Sequence, residues 1–144
     1  MNLECDLKDE LLCYEPDNDD ERHCKRRMLA FLEVPQCFER SLDKDHFTAS
    51  SWLIDKSANK VLLMHHRKLD KWLQLGGHAD GDSNLLRVAI KEAQEESGIQ
   101  DIKPVHKHIF DIDIHDVPGH RHFDVRFLLN ILHCKCPIGA DQGK

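Results

Sequence analysis

The sequence predicts one domain that mixes strands and helices, of α/β (α+β) class. Its 144 residues fit a single compact core. Two segments alternate apolar and polar side chains with the period of a half-buried strand. In the first, Phe110, Ile112 and Ile114 oppose Asp111, Asp113 and His115; in the second, Phe123, Val125, Phe127, Leu129 and Ile131 oppose His122, Asp124, Arg126 and Asn130. Before them, Leu86, Ala89, Ile90 and Ala93 recur at helical spacing. An earlier strand-forming run lies on the other side of that helix, and strands flanking a central helix give the mixed class.

Taken in order, Glu15–Asp20 reads as a turn into a first helix, with Asp19 or Asp20 as its cap. To Glu33 it sets Met28, Leu29, Phe31 and Leu32 against Glu21, Arg22, Lys25 and Arg26, and Pro35 closes it. Residues 1–37 are therefore expected to be an N-terminal helical extension that packs and carries no chemistry. Between His46 and Asp55 the run Phe-Thr-Ala-Ser-Ser-Trp-Leu-Ile favours a strand, and a turn at Lys56–Asn59 leads to the apolar run Val61–Met64. A further strand from Lys71 carries Trp72 into Gly76 and Gly77, after which Ala79–Ser83 is turn-like. Asp82 or Ser83 is placed to cap the central helix, which Gly98 ends. The turn Val117-Pro-Gly joins the two alternating segments into a hairpin. The domain proper is expected at 38–133, with 134–144 a flexible tail.

Composition narrows the function classes. Hydrophobic residues make up 40% and charged residues 32%, enough for a core under a solvated surface and too apolar for a disordered chain. Apolar stretches such as Phe127–Leu132 fall far below the roughly 20 residues that span a bilayer, so no membrane is expected as partner. The acidic start, Met1–Asp6, lacks the basic and apolar regions of a secretory signal, which points to the cytoplasm. A net charge of −6 argues against a nucleic-acid polymer as partner. Cys5, Cys13, Cys24, Cys37, Cys134 and Cys136 show no CxxC spacing and read as free thiols, the pair Cys134 and Cys136 being only a weak metal or disulfide signal.

The chemistry concentrates between Gly77 and Ile99. There a glycine turn enters a helix on which Glu92, Glu95 and Glu96 fall within an arc of roughly 100°. Their mutual repulsion is a few tenths of a kcal/mol per pair, and a divalent cation would remove it. Carboxylate oxygens select a hard cation, Mg²⁺ or Mn²⁺, of the kind commonly shared with substrate phosphates.

The same stretch resembles the box of the Nudix hydrolases, Gx5Ex7REUxEExGU with U aliphatic. Gly77, Glu92, Ala93, Glu95, Glu96, Gly98 and Ile99 stand at seven of its nine positions, counting Ala93 as an allowed small apolar residue. Ser83 replaces the first glutamate and Lys91 the arginine. In that family these two are thought to brace the loop and helix, so their joint replacement removes a brace. Around the box, His65-His-Arg-Lys, Trp72-Leu-Gln-Leu-Gly-Gly-His and Asp124-x-Arg-Phe-Leu suit a bacterial-type member, and the resemblance spans about Phe38 to Leu132.

The resemblance implies a mixed sheet sandwiched between helices and hydrolysis of a small nucleoside diphosphate linked to another moiety. It implies that Glu92, Glu95 and Glu96 are catalytic and hold Mg²⁺ (or Mn²⁺), with the Gly77 carbonyl as a further ligand. Glu92 and Glu96 are candidate bases, as are the loop acids Asp111, Asp113, Asp116 and Asp124. Oxidised nucleoside triphosphates, ADP-ribose, dinucleoside polyphosphates and nucleotide sugars are all candidate substrates. Many members of the family dimerise, so a homodimer is a candidate assembly.

Outside the box, His120, His122, Asp124 and Arg126 share one strand face, near Asp111, Asp113 and His115 across the hairpin. Substrate contact is expected from His78, Trp72, His122, Asp124 and Arg126, against the bland reading of a polar hairpin face and of core tryptophans at 52 and 72. Two rival functions stand beside the hydrolase. One is a catalytically weak or inactive Nudix-fold module that binds or senses a nucleotide or protein, reflecting Ser83 and Lys91. The other is a transition-metal protein built on the histidine-rich hairpin.

Overall fold

The protein is described by a computed structural model over residues 6–133. Cys5, Cys134, Cys136 and the expected tail lie outside the described residues. Three helices are present, α1 (Leu7–Cys13), α2 (Asp19–Phe31) and α3 (Leu85–Ser97). The strands are β1 (His46–Ile54), β2 (Val61–Leu62), β3 (Met64–His66), β4 (Lys71–Leu73), β5 (Leu75–His78), β6 (Ile102–Pro104), β7 (Asp111–Val117) and β8 (His120–Ile131).

The sheet is mixed. β1 and β8 run parallel at its centre, in register from His46 opposite His122 to Ile54 opposite Asn130. β2 and β5 flank β1 antiparallel, while β7 and β6 flank β8 antiparallel. β3 and β4 form a separate two-stranded ribbon between β2 and β5. Because side chains alternate along each strand, one face collects Phe47, Ala49, Leu53, Leu75, Phe123, Val125, Phe127 and Leu129, all buried. α3 contributes Leu85, Leu86, Val88, Ala89 and Ala93 to the same core, and α1 and α2 add Leu11 and Met28, both fully buried. Phe31 of α2 stacks on Phe123 at 4.2 Å and tilts against Phe47 at 5.3 Å, so α2 also covers this face.

The hairpin follows the expected pattern. Asp111 pairs with Arg126, Asp113 with Asp124 and His115 with His122, around a two-residue turn at Pro118 and Gly119 whose glycine has φ +88°. Phe110 departs from it: β7 begins one residue later and the ring is 42% exposed. The strand expected at Val61–Met64 is divided between β2 and β3, and that from Lys71 between β4 and β5, so Trp72 does not share a strand with the glycines. α1 and β6 were not apparent in the periodicity. Each is short, and α1 buries only Leu7 and Leu11.

Both expected helix caps shift by one residue. Asn18 caps α2 by accepting from the Glu21 N–H, and Asn84 caps α3 by accepting from the Arg87 N–H at 3.1 Å. Ser83 is exposed, whereas Asn84 is buried. Gly98 ends α3 in the left-handed conformation, φ +75°, as expected. Asn84→Ala is expected to lower stability by about 1–2 kcal/mol in chemical denaturation, and Ser83→Ala by less than about 0.5 kcal/mol.

Candidate functional site

β5 is an edge strand, and its two glycines set how close α3 can come. A Cβ on Gly76 would stand 2.6 Å from the Ala49 carbonyl oxygen, so any side chain there would separate β5 from β1. A Cβ on Gly77 would stand 2.6 Å from Glu92 Cδ and under 3 Å from both its oxygens. The Glu92 carboxyl therefore lies directly on the Gly77 backbone. One residue earlier, the Gly76 N–H donates to Glu96 Oε1 at 2.8 Å, using the open edge of the strand. Glu95 is exposed beside them, with Lys91 Nζ 3.9 Å from its Oε1.

Burial pushes the Glu92 carboxyl above its ordinary value, with the Glu95 charge acting the same way and Lys91 and Arg40 against it. Burial also raises Glu96, helped by Glu92 and Glu95, while the Gly76 N–H partly offsets it. The three carboxyls share one helix flank at the open strand edge and act on one another electrostatically, although among the described residues their oxygens are not drawn within 4.8 Å of one another; oxygen donors of this kind are what a hard divalent ion takes. The three sequence-expected acids are thus neighbours on one helix flank beside Gly77.

The loop between β5 and α3 is tightly built. Asp82 N–H donates to the Ala79 carbonyl across Asp80 and Gly81, whose φ values are +49° and +88°. This is a type I′ turn, for which Asp-Gly is a favoured pair. Arg40 holds Asp80 with two bonds of 3.0 and 2.8 Å, and the Gly81 N–H reaches the Phe38 carbonyl. Asp82 receives Arg87 with two bonds of 2.9 and 2.8 Å and accepts from the Asn84 N–H. Loop and helix are therefore braced by Asp82 and Arg87. Each arginine holds its aspartate below the usual carboxylate range. A cleft of about 900 Å³, lined by Phe31, Glu39, Arg40 and Lys44 among others, opens beside this loop.

The polar face of the sheet gathers most of the other expected residues. Asp124 is buried and accepts from Thr48 Oγ1 at 2.8 Å and Ser50 Oγ at 2.6 Å. Arg126 donates to Asp111 Oδ2 at 2.6 Å and Ser50 Oγ at 3.3 Å, and lies 3.5 Å from Asp124 Oδ2. Its guanidinium is engaged by the protein itself. Burial raises the Asp111 carboxyl, against the pull of Arg126.

Farther along that face the rings of His78 and His122 lie 5.4 Å apart. His46, absent from the sequence-expected set, is fully buried between them and His120. A histidine at the start of a strand carries no local signal, and only the pairing of β1 with β8 brings it to the site. Trp72 stands apart on the β3–β4 ribbon, 58% exposed, its ring 5.0 Å from His65.

No protein-family model matches the sequence, and no curated protein matches it. Solved structures do. A NUDIX family hydrolase from Clostridium perfringens superposes with a TM-score of 0.54 at 25% identity, over 66% of this chain and 75% of that one. A C. elegans Ap4A hydrolase gives a TM-score of 0.51 at 21% identity, over 59% of this chain and 67% of its own. A UDP-X diphosphatase gives 0.50 at 16%, over 88% and 68%.

The fold is the Nudix fold. Within it, the stretch Gly77–Ile99 comprises the end of β5, the type I′ turn and α3. Among the described residues, no helix of this Nudix fold is long and apolar enough to cross a membrane. Cys13, Cys24 and Cys37 are free thiols, as expected for these three, and burial pushes the Cys24 and Cys37 thiols up.

The raised Glu96 carboxyl has a sign that can be measured. The native state binds this proton more tightly than the unfolded chain, so stability falls as pH rises from the ordinary 4.5 through the raised native value. Glutamine keeps an oxygen for the Gly76 N–H and has nothing to ionise. In chelator, Glu96→Gln is therefore expected to melt at a higher temperature than the wild type near neutral pH, with the difference closing as pH falls toward 4.5.

Proposed function

We propose that this protein hydrolyses a phosphoric anhydride bond in a small nucleoside diphosphate derivative, with Mg²⁺, or Mn²⁺ in its place, as the required ion. The observation that carries this reading is the seating of Glu92 on Gly77 and of Glu96 on the Gly76 N–H, with Glu95 alongside. Glu92, Glu95 and Glu96, with the Gly77 carbonyl, are the residues that would hold the ion. When bound, such an ion neutralises the pyrophosphate oxygens and stabilises the charge developing on the leaving phosphate. The Nudix-fold hydrolases that superpose on this chain support the reaction class.

The chain's own contribution is positional. Gly76 and Gly77 admit α3 to the strand edge, and the Asp82–Arg87 and Arg40–Asp80 pairs fix the loop before the helix, so the three acids stay on one flank at that edge. Of the three acids, Glu92 and Glu96 are raised by burial, which suits either to take a proton from the attacking water. The exposed Trp72 ring offers an apolar surface to a nucleobase. Arg40 and Lys44 line the adjoining cleft, whose volume suits a small nucleotide.

The test is release of phosphate or nucleotide from a panel of diphosphate compounds with Mg²⁺ or Mn²⁺. Glu92→Gln and Glu96→Gln are each expected to lower kcat by about 10²-fold or more while the protein stays folded. Unchanged turnover in both would remove this assignment, as would binding of a nucleotide without turnover by the wild type. Trp72→Ala is expected to raise KM several-fold with kcat nearly unchanged, because a stacking surface remote from the acids contributes equally to ground and transition states.

A further inference from the structure

The imidazoles of His46, His78 and His122 meet on the polar face of the sheet, outside the carboxylate site. His46 and His122 are direct partners in the β1–β8 ladder, and β5 places His78 opposite Thr48, two residues along the same face of β1. One ring nitrogen from each of the three lies within 4.8 Å of the others. His46 Nε2 and His78 Nδ1 are 3.2 Å apart. A tetrahedral ion bound at about 2.0–2.1 Å holds its nitrogen ligands about 3.3 Å from one another, so this pair already has the required separation.

A fourth histidine packs beside the group, outside the three whose nitrogens converge. The ring centroid of His120 is 4.9 Å from that of His46 and 5.1 Å from that of His122. Its Nδ1 lies 3.1 Å from the Leu42 carbonyl, and its Nε2 is buried with no hydrogen-bond partner among the described residues. His46 repeats the outer half of the arrangement, with Nδ1 2.9 Å from the Lys44 carbonyl, while its Nε2 is hydrogen-bonded to His78 Nδ1. A carbonyl only accepts, so Nδ1 carries the proton in both rings, and the neutral Nε2 keeps its lone pair for the interior. An outer carbonyl that fixes the tautomer is the usual support of a metal-binding histidine.

The supporting segment is itself fixed. Ser41 Oγ accepts from the Lys44 N–H, Asp45 accepts from the Arg121 N–H, and a Cβ on Gly119 would stand 2.8 Å from the Leu42 oxygen. Without an ion, the orphaned His120 nitrogen is an unpaid desolvation.

We propose that His46, His78 and His122, with His120 packed beside them, form a zinc-type transition-metal site separate from the carboxylate site. Imidazole nitrogens select zinc, cobalt, nickel or copper over magnesium. The ion would join the start of β1, the end of β5 and the tip of the β7–β8 hairpin, holding β5 where the chain passes from His78 into the loop before α3.

The experiment uses the full chain without a histidine tag, stripped by chelator and titrated with Zn²⁺ and, separately, with Co²⁺. One equivalent of zinc is expected to bind and raise the melting temperature, and one equivalent of cobalt to give the intense visible absorption of a tetrahedral site. Millimolar Mg²⁺ should displace neither. Glu92→Gln/Glu96→Gln and His106→Ala/His108→Ala are expected to keep the site, and His78→Gln and His122→Gln to lower zinc affinity by at least about 100-fold. Should either single variant misfold, the wild-type stoichiometry and cobalt spectrum decide. A six-coordinate cobalt spectrum, no zinc bound at micromolar concentration, or binding unchanged in folded His78→Gln and His122→Gln would overturn the proposal.

Discussion

The parallel ladder between β1 and β8 is the constraint from which the rest of the molecule follows. Nine residue pairs in one register mean that a single choice of alignment decides the content of both faces. Phe47, Ala49 and Leu53 join Phe123, Val125, Phe127 and Leu129 on one side; His46, Thr48 and Ser50 join His122, Asp124 and Arg126 on the other. A slip by one residue would place Asp124 and Arg126 against α3 and expose Phe123 and Phe127 to water. With about 25 cal/mol per Å² of apolar surface at stake, no alternative register competes.

The buried polar face is stable because its groups satisfy one another. Thr48 and Ser50 donate to Asp124, and Arg126 links Asp124 to Asp111 on the next strand. Removing one partner would leave a buried charge without compensation, a loss of about 3–5 kcal/mol. Arg126 and Asp124 thus tie three strands together, and in doing so they set the spacing at which the histidines farther along the same face meet. The glycine pair plays the corresponding part on β5: its missing side chains let the strand approach β1 on one side and Glu92 on the other.

Much of this was legible in the chain because the signals are local. Period-two alternation around Pro118-Gly119 marked the hairpin, Asp80-Gly81 marked the turn, and the spacing from Gly77 to Ile99 placed the three acids on one flank of a helix that Gly98 ends. What escaped has physical reasons. Asp82, Ser83 and Asn84 are all competent caps, and only packing decides that Asn84 is used while Asp82 turns to Arg87. Trp72 and Leu75 look like one strand until the ribbon folds away from the sheet. His46 lies 76 positions from its partner His122, and no pattern along the chain announces a parallel pairing over that distance.

The segment that supports His46 and His120 does so only through the backbone oxygens of Lys44 and Leu42. A carbonyl is the same whatever side chain its residue carries, and Leu42 is itself 90% exposed. Substitution at 42 and 44 therefore leaves this support of the two rings intact while the path of the chain is kept. The burden of that path falls on Ser41, Asp45 and Gly119, so in any library of variants the sequence freedom of this loop and the rigidity of its shape coexist, and a tally of varied positions would mistake one for the absence of the other.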